Sequence, residues 1–169
     1  MTTHKILFPT FAIGSLPREN WVLEILDSFN SGALSEEKTN RLLNGAIVGV
    51  IRMQEKAGMD CVSDGEWRRN NYLRVFVDAV HGYKLDAIPP NRFSTSTLPA
   101  IVSKIHPHSS MSIKAASFLK KNARVRTIVS LPSPHTVGGK MWDAKLSTKA
   151  YANPKESIEA CIPIINNEL

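Results

Sequence analysis

Apolar positions along this chain follow two rhythms, a three-to-four-residue spacing and short unbroken runs, and stretches of each kind alternate. The longest helical stripe is Leu42, Leu43, Ala46, Ile47, Val50 and Ile51. Ser35 stands ahead of it as an N-cap, with Glu36 and Glu37 in the first turn, and Gly58 supplies a stop after Ala57. Trp21, Val22, Ile25, Leu26 and Phe29 predict an earlier helix over Glu19–Phe29, closed by Ser31-Gly32. The short runs Ile6–Ile13, Asp60–Ser63 and Val125–Leu131 predict strands. Pro9 cannot donate to a ladder, so regular pairing of the first should begin after it.

Between these lie weaker signals. Leu73, Phe76, Val77 and Val80 predict a short helix over Tyr72–Val80, capped by Asn70 or Asn71. Gly82–Pro90 reads as a loop, and Arg92–Thr97 with Ala100–Ile105 as two strands around Leu98-Pro99, the second serving as the third core strand. Ser109–Asn122 reads as a helix, Pro132–Gly139 as a loop. Asn153-Pro154-Lys155-Glu156 is a helix start, with Ile158, Ile162 and Ile165 as its apolar face and Pro163 expected to kink or end it. Alternating strands and helices imply a parallel sheet with right-handed crossovers. The expected fold is α/β: a partial (β/α)8 TIM barrel with about the first four strands, their helices and an inserted β-hairpin, in one domain over residues 1–169.

The stretch after Ser63 changes the picture from architecture to chemistry. Asp64, Gly65, Glu66, Arg68, Arg69 and Asn70 crowd carboxylates, guanidiniums and an amide at the end of an apolar strand. Ligand-binding groups collect at such ends in parallel α/β proteins. A solvated loop is the alternative. Gly14-Ser15, ending the first strand, and Pro132–Gly139 would share that face in a barrel.

Composition narrows the classes. No apolar run approaches the roughly 20 residues that span a bilayer. Neither a signal-peptide pattern nor a membrane partner is expected, and a cytoplasmic location follows. Cys61 and Cys161 read as reduced core residues. A net charge of +6 admits a nucleic-acid partner, but the basic residues are dispersed and not interleaved with aromatics, so none is expected. His106-Pro107-His108 lacks a nearby cysteine or a carboxylate at ligand spacing, which favours a loop or capping role over a metal site.

Three motifs together, Phe8–Arg18, Gln54–Asp60 and Asp64–Asn70, resemble the cobalamin-independent methionine synthase family, and most closely the single-barrel relatives of its carboxyl-terminal catalytic domain. The resemblance covers the whole chain as the amino-terminal half of that barrel. It implies that Ile13, Gly14 and Ser15 contact homocysteine and that Glu66 holds its α-amino group. Arg18, Asp64, Arg68 and Asn70 would support them. The segment Ser133–Thr136 resembles the part that approaches the folate; Trp142 is offset from the family's stacking tryptophan.

The resemblance also implies zinc as cofactor and methyltetrahydrofolate as methyl donor, in a zinc-dependent transfer to the homocysteine thiol during methionine biosynthesis. The family's zinc ligands are a His-x-Cys pair, a glutamate and a later cysteine. This chain has no His-x-Cys, and Cys61 and Cys161 do not match the cysteine positions. The expectation is therefore a methyltransferase homologue holding the substrate half, with no catalytic and no metal residues of its own, present as an oligomer or beside a complementary barrel half. A truncated, non-catalytic amino-acid-binding remnant is the first alternative, and a basic nucleic-acid-binding protein the second.

Overall fold

The computed structural model describes residues 7–69, 71–90 and 95–169. Its elements run α1 (Asn20–Asn30), α2 (Glu36–Lys56), β1 (Cys61–Val62), α3 (Arg74–Val77), β2 (Val80–Ile88), β3 (Leu98–Pro107), α4 (Ile113–Asn122), β4 (Arg126–Thr127), a π-helical turn (His135–Gly139) and α5 (Pro154–Asn166). They gather into two compact units. The first comprises residues up to 70 and 114–130, the second 71–113 and 131 onward.

The first unit is built on α2. Ser35 Oγ accepts the Lys38 amide at 3.3 Å, as its N-cap position predicts, and Gly58 takes φ 78° just past the end. The stripe Leu43, Ala46, Ile47, Val50 and Ile51 is buried with Val22 and Leu26 of α1, Val62 of β1, Trp67, and Leu119 of α4. β1 and β4 pair in parallel, Cys61 opposite Arg126 and Val62 opposite Thr127. Residues 7–13 are not assigned as a strand, contrary to expectation, and Leu7 and Phe8 lie in a bend. Their tie to β1 is Thr10, whose carbonyl accepts the Asp60 and Cys61 amides, both at 3.1 Å. In return its amide and hydroxyl each donate to Asp60 Oδ2 at 2.8 Å.

The second unit corrects the reading of 82–107. Residues 82–88 of the predicted loop 82–90 belong to strand β2, which pairs antiparallel with β3, so β3 is a hairpin arm rather than a third parallel core strand. Gly82, at φ 105°, allows the irregular register: a Cβ there would stand 2.9 Å from the Ser103 carbonyl. The expected strand over Arg92–Thr97 falls partly outside the described residues. β4 is two residues long instead of the expected seven-residue run, because the residues after Ile128 lie outside the ladder.

The expected loop after Pro132 contains the π-helical turn, which lies against α5 so closely that a Cβ on Gly138 would meet Ile158 Cα at 2.7 Å. In α5, Asn153 Oδ1 accepts the Glu156 amide at 3.1 Å. The helix continues through Pro163, which points to solvent, so the carbonyl deprived of its amide can be hydrated. Its buried face is Ser157, Cys161, Ile164 and Ile165; Ile162, expected inside, is exposed.

Candidate functional site

The site grows from the turn after β1, and the residues that form it belong to the first unit. Ser63 is gripped by the buried side chain of Gln54: Nε2 donates to the Ser63 carbonyl at 2.8 Å, and the Ser63 amide donates to Oε1 at 3.1 Å. The amide side chain thus satisfies both backbone polar groups of one residue where the strand ends. Ser63 Oγ then accepts the Gly65 amide at 3.1 Å, and Asp64 Oδ1 accepts the Glu66 amide at 2.9 Å. These bonds tighten the chain until Gly65 and Glu66 adopt φ 63° and 57°. Glycine enters that region freely, whereas a glutamate held there costs on the order of 1–3 kcal/mol. Surrounding bonds must hold it.

They do so from the segment 15–18. The Leu16 amide donates to the Gly65 carbonyl at 3.1 Å, and Trp67 Nε1 donates to the Leu16 carbonyl at 3.3 Å. Arg18 Nη2 donates to the carbonyls of Glu66 at 2.8 Å and Arg69 at 2.6 Å. Gly14, at φ 79°, turns the backbone so that Ser15 faces this loop. Ser15 Oγ donates to Glu66 Oε2 at 2.7 Å, and Arg69 Nη1 stands 3.3 Å from Glu66 Oε1. The Glu66 and Arg69 side chains are both buried.

Gly14, Ser15 and Glu66 are therefore brought together, with Arg18 and Asp64 holding the backbone that presents them. The Ile13 side chain turns outward, 82% exposed. Arg68 does not support Glu66. Its Nη1 donates to Asn40 Oδ1 at 3.0 Å, its Nη2 to Asn44 Oδ1, and its guanidinium lies 5.1 Å from the Phe118 ring centre. Burial lowers its pKa from the ordinary arginine value, with Asp64 opposing. The electrostatic partner that sequence reasoning passed over is Arg69, three positions after Glu66; in a tight turn that spacing brings two side chains together. Asn70 lies outside the described residues.

The donor set does not fit zinc. Among the described residues, no three His, Cys, Asp or Glu are grouped so as to hold an ion. The histidines of the hairpin stack instead, His81 with ring centres 4.9 Å from His106 and 4.3 Å from His108. Cys61 lies in β1, and Cys161 is buried in the other unit, where burial pushes its thiol up to about 11.

With this geometry in hand, the comparisons are decisive about ancestry. The family described as cobalamin-independent synthase, catalytic domain, matches residues 8–129. This chain belongs to the cobalamin-independent methionine synthase family. The methionine synthase of Saccharolobus solfataricus is 28% identical over 166 residues, covering 96% of this chain and 48% of that protein. That of Sulfurisphaera tokodaii is 27% identical over 167 residues, covering 96% and 47%. Among solved structures, a B12-independent methionine synthase from Shewanella sp. W3-18-1, in complex with selenomethionine, superposes with TM-score 0.76 at 23% identity, over 96% of this chain and 47% of that one. A putative vitamin-B12-independent methionine synthase from Listeria monocytogenes gives 0.69 at 18% identity, over 95% and 48%. The fold is shared with these structures, and the chain spans about half the length of the relatives it matches.

The family also orders the fold. No helix among the described residues is long and apolar enough to cross a membrane. The mixed α/β architecture of this chain, with a parallel pair beneath α2 and an antiparallel hairpin in the second unit, superposes on about half the length of the solved relatives.

Proposed function

We propose that this chain supplies the amino-acid-binding loops of a cobalamin-independent methionine synthase catalytic domain, with homocysteine as ligand. The observation that carries the reading is the Ser15 hydroxyl on Glu66 Oε2 at 2.7 Å. A buried carboxylate at the end of a parallel strand is a charge-assisted partner for an α-ammonium. The Ser15 hydroxyl aims Glu66, and the backbone amides of Gly14 and Ser15 offer donors to the α-carboxylate. Arg69 Nη1, 3.3 Å from Glu66 Oε1, holds the carboxylate in place. The selenomethionine held by the Shewanella relative is an amino acid of the same class as the product, which supports this assignment.

In the complete domain the reaction moves a methyl group from N5 of methyltetrahydrofolate to the homocysteine sulfur. The N–C bond breaks and the S–C bond forms; the thiol gives up its proton and N5 takes one up, so the proton count is unchanged. In that domain a zinc ion held by the family's His-x-Cys pair, glutamate and later cysteine would supply Lewis-acid activation of the thiol. This chain's described residues do not gather such ligands, so its part is to bind and orient the amino acid. We read β1, β4, the segment 7–13 and helices α2 and α4 as the amino-terminal part of a (β/α)8 barrel with the hairpin inserted, and 133–136 as its folate-facing segment. The remaining chemistry belongs to a complementary half. Two unbridged cysteines suit a cytoplasmic setting.

Calorimetric titration with L-homocysteine tests the reading. Wild type should bind, and Glu66→Gln and Ser15→Ala should each weaken binding at least about tenfold, the scale of one charged hydrogen bond. Equal binding by all three proteins would refute it. The ungrouped metal donors favour a second reading, an amino-acid-binding module without chemistry. That reading requires no methyl transfer even when the missing half is supplied.

A further inference from the structure

The turn that carries Glu66 rests on one face of helix α2. Val50 and Gln54 stand one helical turn apart on that face, and both are buried. Val50 lies under the turn itself: a Cβ on Gly65 would stand 3.1 Å from Val50 Cγ1. Gln54, only 1% exposed, meets Ser63, where the turn begins. Its Nε2 donates to the Ser63 carbonyl at 2.8 Å and to the Val50 carbonyl at 3.1 Å. Its Oε1 accepts the Ser63 amide at 3.1 Å.

A buried primary amide is costly to desolvate unless it is bonded. From Leu43 to Ile51 the buried face of α2 is apolar, so packing alone asks for a methionine or leucine at position 54. What the glutamine adds is a fixed end to β1. The parallel ladder reaches Val62, whose carbonyl accepts the Ile128 amide at 3.0 Å. At Ser63 a side chain takes the part of a neighbouring strand, and its bond to Val50 holds that side chain in one orientation.

From Ser63 the restraint passes forward. The Ser63 hydroxyl accepts the Gly65 amide at 3.1 Å, and Asp64 Oδ1 accepts the Glu66 amide at 2.9 Å. Ser15, Leu16 and Arg18 grip the turn from the other side, at Gly65 and Glu66. Ser63 is the pivot between the two grips, and a misplacement of about 1 Å at an orienting group costs on the order of a hundredfold.

We propose that Gln54 is a positioning residue for the amino-acid site: by fixing both backbone polar groups of Ser63, it sets where the Glu66 carboxylate meets an α-ammonium. The proposal rests on the homocysteine-binding reading above. It makes recognition of the amino group depend on α2, a helix that supplies no ligand contact in that reading.

The test compares wild type, Gln54→Met and Ile51→Val. Gln54→Met keeps an unbranched side chain of similar volume and deletes the bonds to Ser63 and Val50. Ile51→Val trims the core beside α2 without touching the turn, and so controls for lost stability. Ligand-observed NMR measures dissociation constants for L-homocysteine and for 4-mercaptobutanoate, which lacks only the amino group. Amide hydrogen exchange reads the turn with no ligand present. Gln54→Met should weaken homocysteine binding at least about tenfold and 4-mercaptobutanoate binding less than about twofold. Exchange should quicken at Gly65 and Glu66 as well as at Ser63. Ile51→Val should leave both affinities and those amides as in wild type. Equal loss of both ligands, unchanged homocysteine affinity in Gln54→Met, or faster exchange at Ser63 alone would overturn the positioning role while leaving the binding site standing. Wild type that binds neither ligand would sink the amino-acid reading and this role with it, whatever the exchange shows.

Discussion

Ser15 donates its hydroxyl to Glu66 Oε2 at 2.7 Å across 51 positions of the chain. Ser15 is exposed while Glu66 is buried, so the pair joins solvent-facing chemistry to a rigid base. Removing the hydroxyl leaves the carboxylate its Arg69 contact. Ser15→Ala should therefore change stability by no more than about 0.5 kcal/mol while weakening homocysteine binding about tenfold, near 1.4 kcal/mol. Thermal unfolding and calorimetric titration on the same samples separate the two effects.

Glu66 and Arg69 form a buried ion pair. Deleting one member strands the other charge, which costs about 3–5 kcal/mol, more than the pair contributes intact. Glu66→Ala should lower stability on that scale. Glu66→Leu with Arg69→Met should recover most of it, because neither charge is then left alone. Urea unfolding of the two single variants and the double variant checks this; additive losses would show that the pair is not coupled.

Gly49 lies in helical conformation with open space where a Cβ would stand. Gly49→Ala should stabilise the isolated chain by about 0.5–1 kcal/mol, since alanine loses less freedom on entering a helix. Urea midpoints provide the measurement.

Glu168 anchors the residues leading into α4. Its Oε2 accepts the Ser110 hydroxyl at 3.0 Å, the Met111 amide at 3.1 Å, and the Ser112 amide and hydroxyl, both at 2.9 Å. Burial works to raise its pKa, but the bonds from Ser112, Met111 and Ser110 together outweigh it and hold the carboxyl below its usual value. A depressed folded-state pKa contributes stability above the unfolded value of about 4.3, lost as pH falls through the folded one. Glu168→Gln should therefore lower the melting temperature at pH 7, and the difference from wild type should shrink toward pH 3.

Cys161 is buried against Tyr83, whose hydroxyl lies 3.9 Å from its Sγ. Burial pushes the thiol up to about 11, with the Tyr83 contact opposing. Little thiolate exists at neutral pH, so iodoacetamide should modify Cys161 only on unfolding. Peptide mass mapping before and after denaturant would show it, and rapid native labelling would contradict the packing.

Local chemistry was legible where a residue acts on its own neighbourhood. The stripe on α2, the Ser35 cap, the Gly58 stop and the Asn153 cap depend on contacts within a turn or two, and the structure has them near their predicted places. The charged cluster after Ser63 was legible for the same reason, since its residue types crowd a short turn. Less was legible between 80 and 107. Val80–Ile88 carries glycine, lysine and aspartate, and its strand character comes from pairing with Leu98–Pro107, a partner outside any local window. Likewise Pro163, a breaker by local rules, sits inside α5 because its ring faces solvent.

By itself the sequence determined the helices of the first unit, the Ser35 cap, the charged turn after Ser63 and the family. Tertiary structure decided which guanidinium serves Glu66. Arg68 and Arg69 are chemically alike and adjacent, yet Asn40, Asn44 and Phe118 draw the first away, while the turn at Gly65 and Glu66 aims the second inward. The hairpin was decided there too. Residue type and spacing encode contacts made within a few positions; partner choice between distant segments depends on the backbone path that brings them together.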